Sequence, residues 1–192
     1  MSESAICVPA SLPSGWHLTR GYLMGRGATI TLANLSGVDL SGYDLSQASL
    51  SRVDLTGAIL TSADLTGAHA DQVNLQGVDL TSTTLDTIDT RRLIGVPAGL
   101  PTGWVVRGGH LLGPTAMLTS LYDGVDLSGL DLSRAVLSGV LLANLSLIGT
   151  DLSTATMRFV GSSNVDVVTY VERTQIGKRP PLSPPRRRRA KG

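Results

Sequence analysis

The sequence is poor in the residues that build most cores. Aromatic residues are 4% of its 192, with two Trp, four Tyr and one Phe. A conventional core of this size would use more large rings, so its interior must be too narrow for them. Cys7 is the only cysteine. That excludes an internal disulfide and a cysteine-rich metal site. No apolar run approaches the ~18 residues that a membrane-spanning helix needs. Met1 to Ala10 lacks a basic segment followed by an apolar stretch, so the expectation is a cytoplasmic protein without a secretory signal. Charged residues are only 16%. Phosphate-binding and nucleophile motifs of the GxxxxGK[ST], GxGxxG and GxSxG types are absent. His17, His69 and His110 show no metal-ligand spacing with another His, Cys or acid. The reading is therefore non-enzymatic, with no cofactor and no metal.

What is present is a period of five. From Ile30 to Leu85, every fifth residue is apolar, and ten of the twelve are Leu. Two positions earlier, from Ala28 to Thr83, ten of twelve are Ala or Val. The residue before the Leu is usually Asp or Asn: Asn34, Asp39, Asp44, Asp54, Asp64, Asn74 and Asp79. Five matches neither a helix nor a flat strand. It requires a chain that turns a corner every fifth residue. Four sides then make a square coil of about twenty residues, with coils stacked at the strand-pairing distance of about 4.8 Å. The Leu and the small residue point inward, and the other three positions face water.

The units Ala33-Asn34-Leu35-Ser36-Gly37, Val38-Asp39-Leu40-Ser41-Gly42 and Ala63-Asp64-Leu65-Thr66-Gly67 resemble the A(D/N)LXX pattern of the pentapeptide-repeat family. The resemblance implies an all-β fold, a right-handed quadrilateral β-helix. It says almost nothing of function.

A second array has its centres at Leu127, Leu132, Leu137, Leu142, Leu147, Leu152 and Met157. A longer repeat lies over both. Leu12-Pro13-Ser14-Gly15-Trp16 recurs 88 residues later as Leu100-Pro101-Thr102-Gly103-Trp104, whereas Asp39-Leu40-Ser41-Gly42 recurs after 87 as Asp126-Leu127-Ser128-Gly129. The chain is an internal duplication with one residue lost. The expected organisation is a lead-in and cap over 1–27, a first array over 28–87 and a junction with a second cap over 88–114. A second array follows over 115–159, then a C-terminal cap or strand over 160–177 and a Pro/Arg tail over 178–192.

Each lead-in reads as a short hairpin with a glycine turn: Trp16–Thr19 with Tyr22–Met24, and Val105–Arg107 with His110–Leu112. An open coil end exposes unpaired backbone and needs a cap. Trp16 and Trp104 are expected to be lids over the first Leu layers.

Three surfaces are candidates for function. Asp39 and Asp79 should share one outward column with Ile59 between them, and Asp44 and Asp64 should be neighbours in the next. Stacked carboxylates make an acidic face. Some bacterial members of the resembled family mimic duplex DNA and bind DNA gyrase, so the acidic face implies a gyrase inhibitor or protector as an alternative. Leu121 and Leu141 occupy the Asp position twenty residues apart, and Val136 and Ile148 also face out; this predicts a protein interface, with a homodimer or larger assembly as one outcome. Finally, seven of sixteen basic residues follow Gly177, and Arg186, Arg187, Arg188 and Arg189 are consecutive. The tail carries +7 and residues 1–177 carry −6. It could tether the chain to an acidic partner or to nucleic acid. The favoured function is a protein-binding scaffold that uses its outer faces, tethered by this tail.

Overall fold

The computed structural model describes residues 11–119, 121, 124–140 and 145–158. The five-residue unit works as its chemistry demands. Leu35 accepts at its carbonyl from Val38 N–H (3.1 Å), closing a turn at each corner. Leu35 N–H donates to Asp54 O (2.8 Å) and Asp54 N–H donates to Ala33 O (2.9 Å), stitching one coil to the next. The second central residue of the turn takes positive φ, as at Gly37 (66°) and Gly42 (69°). Glycine adopts this conformation without steric cost. Elsewhere the same corner holds Leu32, Gln47, Arg52, Ser62, Gln72, Thr87 and Arg92 at φ of 49–60°, where side chains are strained.

Parallel bridges define four sides. Side A joins Thr29, Ser49 and His69, side B joins Asn34, Asp54, Asn74 and Ile94, and side D joins Asp44, Asp64 and Thr84. Side C holds the pairs Asp39–Ile59 and Asp79–Gly99. In the second array, Asp126–Ser146 continues side C and Asp131–Asp151 continues side D. The inward residues are buried almost without exception: Leu40, Ala63 and Val78 are 0% exposed. The result is a right-handed quadrilateral β-helix.

Among the described residues, nine short strands lie within this lattice. Hairpin β1 (His17–Thr19) and β2 (Tyr22–Met24) precedes the first coil. On side A, β3 (His69–Asp71) and β4 (Asp89–Arg91) precede the second hairpin, β5 (Val105–Arg107) and β6 (His110–Leu112). Side A resumes with β7 (Met117–Leu118), β8 (Val136–Ser138) and β9 (Thr156–Arg158). The strands of side A pair in parallel, in the order β3-β4-β7-β8-β9. One sheet therefore runs through both arrays, and the two copies stack as one solenoid.

Two departures from the expected organisation follow from the register. The first array does not stop at Thr87. Ile88 is 2% exposed and the pairings Asn74–Ile94 and Asp79–Gly99 carry the coil on. Ile88 and Leu93 keep the inner positions filled although their usual Leu partners are Thr90 and Gly95. In addition, the second hairpin does not end the ladder of side A. Asp89 pairs with Met117, 28 residues on instead of 20; the extra residues are the second hairpin, inserted within a coil. It divides the core in two: Leu111 belongs to the first and Leu112 to the second, and Trp104 packs against both. Thr90 explains the docking. Its Oγ1 accepts from Leu111 N–H (2.8 Å) and its carbonyl accepts from His110 Nδ1–H (2.5 Å). The lost residue lies between Met117 and Val136, which pair at an offset of 19.

Candidate interaction faces

The bridges set Asp44 against Asp64 and Asp39 against Ile59. The carboxylates have a local task as well. Oδ1 of Asp39, Asp44, Asp54, Asp64, Asp79, Asp126, Asp131 and Asp151 accepts the N–H of the residue two further on, at 2.8–3.0 Å. Asn34 and Asn74 do the same. These are Asx turns, and they explain the preference for Asp or Asn before Leu: the side chain completes each corner. The following Ser or Thr adds its hydroxyl, as Ser46 does to Asp44 (2.5 Å) and Thr56 to Asp54 (2.6 Å).

These hydrogen bonds favour the ionised form. The Ser41 hydroxyl, followed by its backbone N–H, holds Asp39 below the usual carboxylate range. Ser46 does so for Asp44, Thr56 for Asp54 and Ser128 for Asp126. The backbone N–H of Thr81 leads at Asp79. On sides C and D, Asp39, Asp44, Asp79 and Asp126 thus keep their negative charge further into acid, and Asp64, Asp131 and Asp151 lie on the same two sides.

The sequence of the chain matches the repeat model of one family, pentapeptide repeats, in eight copies over residues 33–69, 48–86 and 123–158. The chain belongs to the pentapeptide-repeat family. Solved structures with similar architecture include QnrB1, a plasmid-mediated fluoroquinolone resistance protein (16% identity, TM-score 0.41, covering 77% of this chain and 90% of that one). Another is HetL, a pentapeptide-repeat protein involved in heterocyst differentiation regulation in Nostoc sp. strain PCC 7120 (21%, 0.26, 68% and 85%). A third comes from the Arabidopsis thaliana thylakoid lumen (20%, 0.20, 78% and 77%). No curated protein matches the chain in sequence.

In this pentapeptide-repeat protein, three of the four expected interface residues lie among the described residues. Leu121 falls between β7 on side A and Asp126 on side C, hence at side B, and it is half-buried against the second core. Val136 is half-buried on side A, in β8. Ile148 is 69% exposed, beyond side C. Leu141 lies outside the described residues, as do Arg186–Arg189 and the segments 160–177 and 178–192. The residue lost between Met117 and Val136 shifts the second array by one position against the first. Side B instead exposes Ile94 (52%) and Val96 (70%) on the coil preceding Leu121.

A polar ladder on side A was not legible in the sequence. His69 is no isolated surface histidine: its Nδ1–H donates to Asp89 Oδ2 (3.0 Å). The same oxygen accepts from Arg91 Nη2 (3.1 Å) and Thr119 Oγ1 (2.8 Å). Arg92 forks onto Asp71, with Nε to Oδ1 at 2.9 Å and Nη2 to Oδ2. That guanidinium lowers the pKa of Asp71. His69 and Asp89 are one coil apart, so a search for close sequence spacing passes over them. The visible signal is the unit Asp89-Thr90-Arg91-Arg92, which replaces the inner Leu and puts two cations at a corner.

The aromatic residues close the ends of the cores. Trp16 and Trp104 each pack on a glycine nine residues on, Gly25 and Gly113. At the N-terminal hairpin, the His17 ring stacks on Tyr43 with centroids 4.0 Å apart. Among the described residues no helix is long and apolar enough to cross a membrane.

Proposed function

We propose that this pentapeptide-repeat protein is a non-enzymatic, cytoplasmic protein-binding scaffold. The observation that supports it best is the apolar strip of side B. Ile94 and Val96 stand out on one coil at 52% and 70% exposure, and half-buried Leu121 follows on the next. The same side of the earlier coils carries Asn34, Asp54 and Asn74. Grouped exposed apolar side chains rimmed by polar ones mark interaction sites. A stacked β-helix holds them in fixed geometry, so little ordering entropy is lost on binding. The Arg186–Arg189 run supplies a tether toward acidic surfaces. The test is recovery of partners from extract of the source organism by the wild-type chain and by Ile94→Asp/Val96→Asp. A partner retained by the first and lost by the second, with unchanged circular dichroism, supports the scaffold. Equal recovery by both overturns it.

A second reading rests on sides C and D, where seven aspartates lie on two adjacent sides. Such a surface competes with DNA for a basic groove, as in a gyrase inhibitor or protector. Ile59, Gly99 and Thr84 interrupt these columns, which is why the scaffold is preferred. A gyrase supercoiling titration with the full chain and with a chain ending at Gly177 separates the two readings. Inhibition that survives removal of the tail favours mimicry. Inhibition lost with the tail, with plasmid retarded in a gel, means that the arginines coat DNA.

A further inference from the structure

The two hairpins are the same device in different surroundings. Their registers match at an offset of 88: Leu18 pairs with Leu23 as Val106 pairs with Leu111, and Thr19 with Tyr22 as Arg107 with His110. Met24 and Leu112 are both 0% exposed, each facing the core of the array that follows. The opposite face differs. Leu111 is 1% exposed because the last coil of the first array lies on it, and His110 is 2% exposed. Their counterparts have no such cover among the described residues: Leu23 is 47% exposed and Tyr22 is half-buried, and on the paired strand Leu18, the counterpart of Val106, is 37% exposed.

The segment leading into the first hairpin keeps the sequence of a coil end. Ile6, Val8, Pro9 and Ala10 match Ile94, Val96, Pro97 and Ala98, again 88 residues on. In the second copy those residues supply one side of the covering coil. The chain carries a second coil end that matches this covering coil. Among the described residues β9 is the outermost strand of the side A sheet, on the same side as β4, the strand that meets the second hairpin. Its Met157 occupies the inner position of Thr90 and is 37% exposed.

We propose that copies of this chain associate head to tail, with the N-terminal hairpin of one seated on the β9 coil of the next. The internal junction is the template. Leu23 takes the place of Leu111, and Met157 stands at the position of Thr90, where it offers apolar contact and not the hydroxyl acceptor. Such an interface is heterologous, so it propagates into linear oligomers instead of closing at a dimer. It would lengthen the side A sheet across molecules and hide the apolar face of the hairpin, a known route by which open sheet ends are managed.

The test is sedimentation and light scattering of the full chain across a wide concentration range. The expected result is oligomers that grow with concentration. Leu23→Arg should weaken the association about tenfold or more, the worth of one buried leucine. Leu18→Arg on the paired strand repeats the test. In a Cys7→Ser background, Leu23→Cys chains mixed with Met157→Cys chains should cross-link through a short bismaleimide, and neither should do so alone. A chain that is monomeric throughout, or oligomers indifferent to both arginine variants, overturns the proposal. So does a monomer whose thermal midpoint falls when residues 1–10 are removed, because that segment would then be the cover.

Discussion

Gly113→Ala isolates what the tryptophans require. A Cβ on Gly113 would lie 2.3 Å from Trp104 Cδ2 and 2.7 Å from both Cε2 and Cγ. The φ of Gly113 lies outside the left-handed region, so its backbone accepts any residue and the ring is the nearest obstacle. Trp104 cannot simply move aside, since it packs against both cores. Overpacking of this kind costs about 1–3 kcal/mol. For a chain of this length that is roughly 2–4 °C of midpoint per kcal/mol. The control is Gly37→Ala, which meets no atom within 4 Å but sits at φ +66°; it should cost about 1 kcal/mol through the backbone alone. The double variant Gly113→Ala/Trp104→Leu decides the cause. If the clash is the mechanism, the alanine costs almost nothing once the ring is gone, so the two changes are strongly non-additive. Thermal and urea unfolding followed by circular dichroism would measure this. A Gly113→Ala chain within about 0.5 kcal/mol of wild type, or strict additivity with Trp104→Leu, would refute the reasoning.

Leu32 is 70% exposed at φ 56°, so Leu32→Gly removes strain and loses little packing. It should stabilise the fold by about 0.5–1 kcal/mol, read as a higher urea midpoint. Asp89→Ala strands three donors at once and should destabilise by about 1–3 kcal/mol, because half-exposed His69 and Arg91 recover part of their hydration; Asp71→Ala, on the exposed Arg92, should cost less. His110 has its pKa lowered, first by burial, then by the charge of Arg91, against the opposing Thr90 carbonyl and Asp89. The unfolded chain therefore takes up this proton first. Stability is intact above the ordinary value of 6.5 and falls as the pH drops below it. Unfolding midpoints from pH 8 to 5 should show that loss, and His110→Gln should flatten it. The aspartates with lowered pKa hold their contribution above 3.8 and give it up only as the pH falls further.

The five-residue period made the interior legible because an inner position has one chemical requirement. Leu or a small residue must fill a narrow lumen, and the sequence records that at Leu35, Leu40 and Leu60 in the same way. The acidic pairs on side D followed from the twenty-residue coil. Side chains that answer to two coils at once were harder to read. His69 and Asp89 are ordinary polar residues until the stacking places them together. Leu121 reads as exposed by strict period, yet the lost residue turns it against the second core. Thr90 was the clearest missed signal, since a hydroxyl at an inner Leu position has to bond something.

That something connects the duplication to the stacking of the two arrays. A hairpin inserted between coils brings backbone N–H groups toward an apolar lumen, and each such group costs free energy if left unpaired. Thr90 Oγ1 meets the Leu111 N–H, and the Gly109 carbonyl meets the Leu93 N–H at 2.9 Å. With those groups satisfied, the ladder closes over the insertion and Asp89 pairs with Met117. The inserted residues fall between Gly99 on side C and Met117 on side A, so the side A ladder passes from Asp89 directly to Met117. Thr90→Leu would restore the family pattern while removing the acceptor for Leu111 N–H. It should therefore lower stability by about 1–3 kcal/mol despite adding apolar volume. A Thr90→Leu chain more stable than wild type would show that the hairpin is held by packing alone.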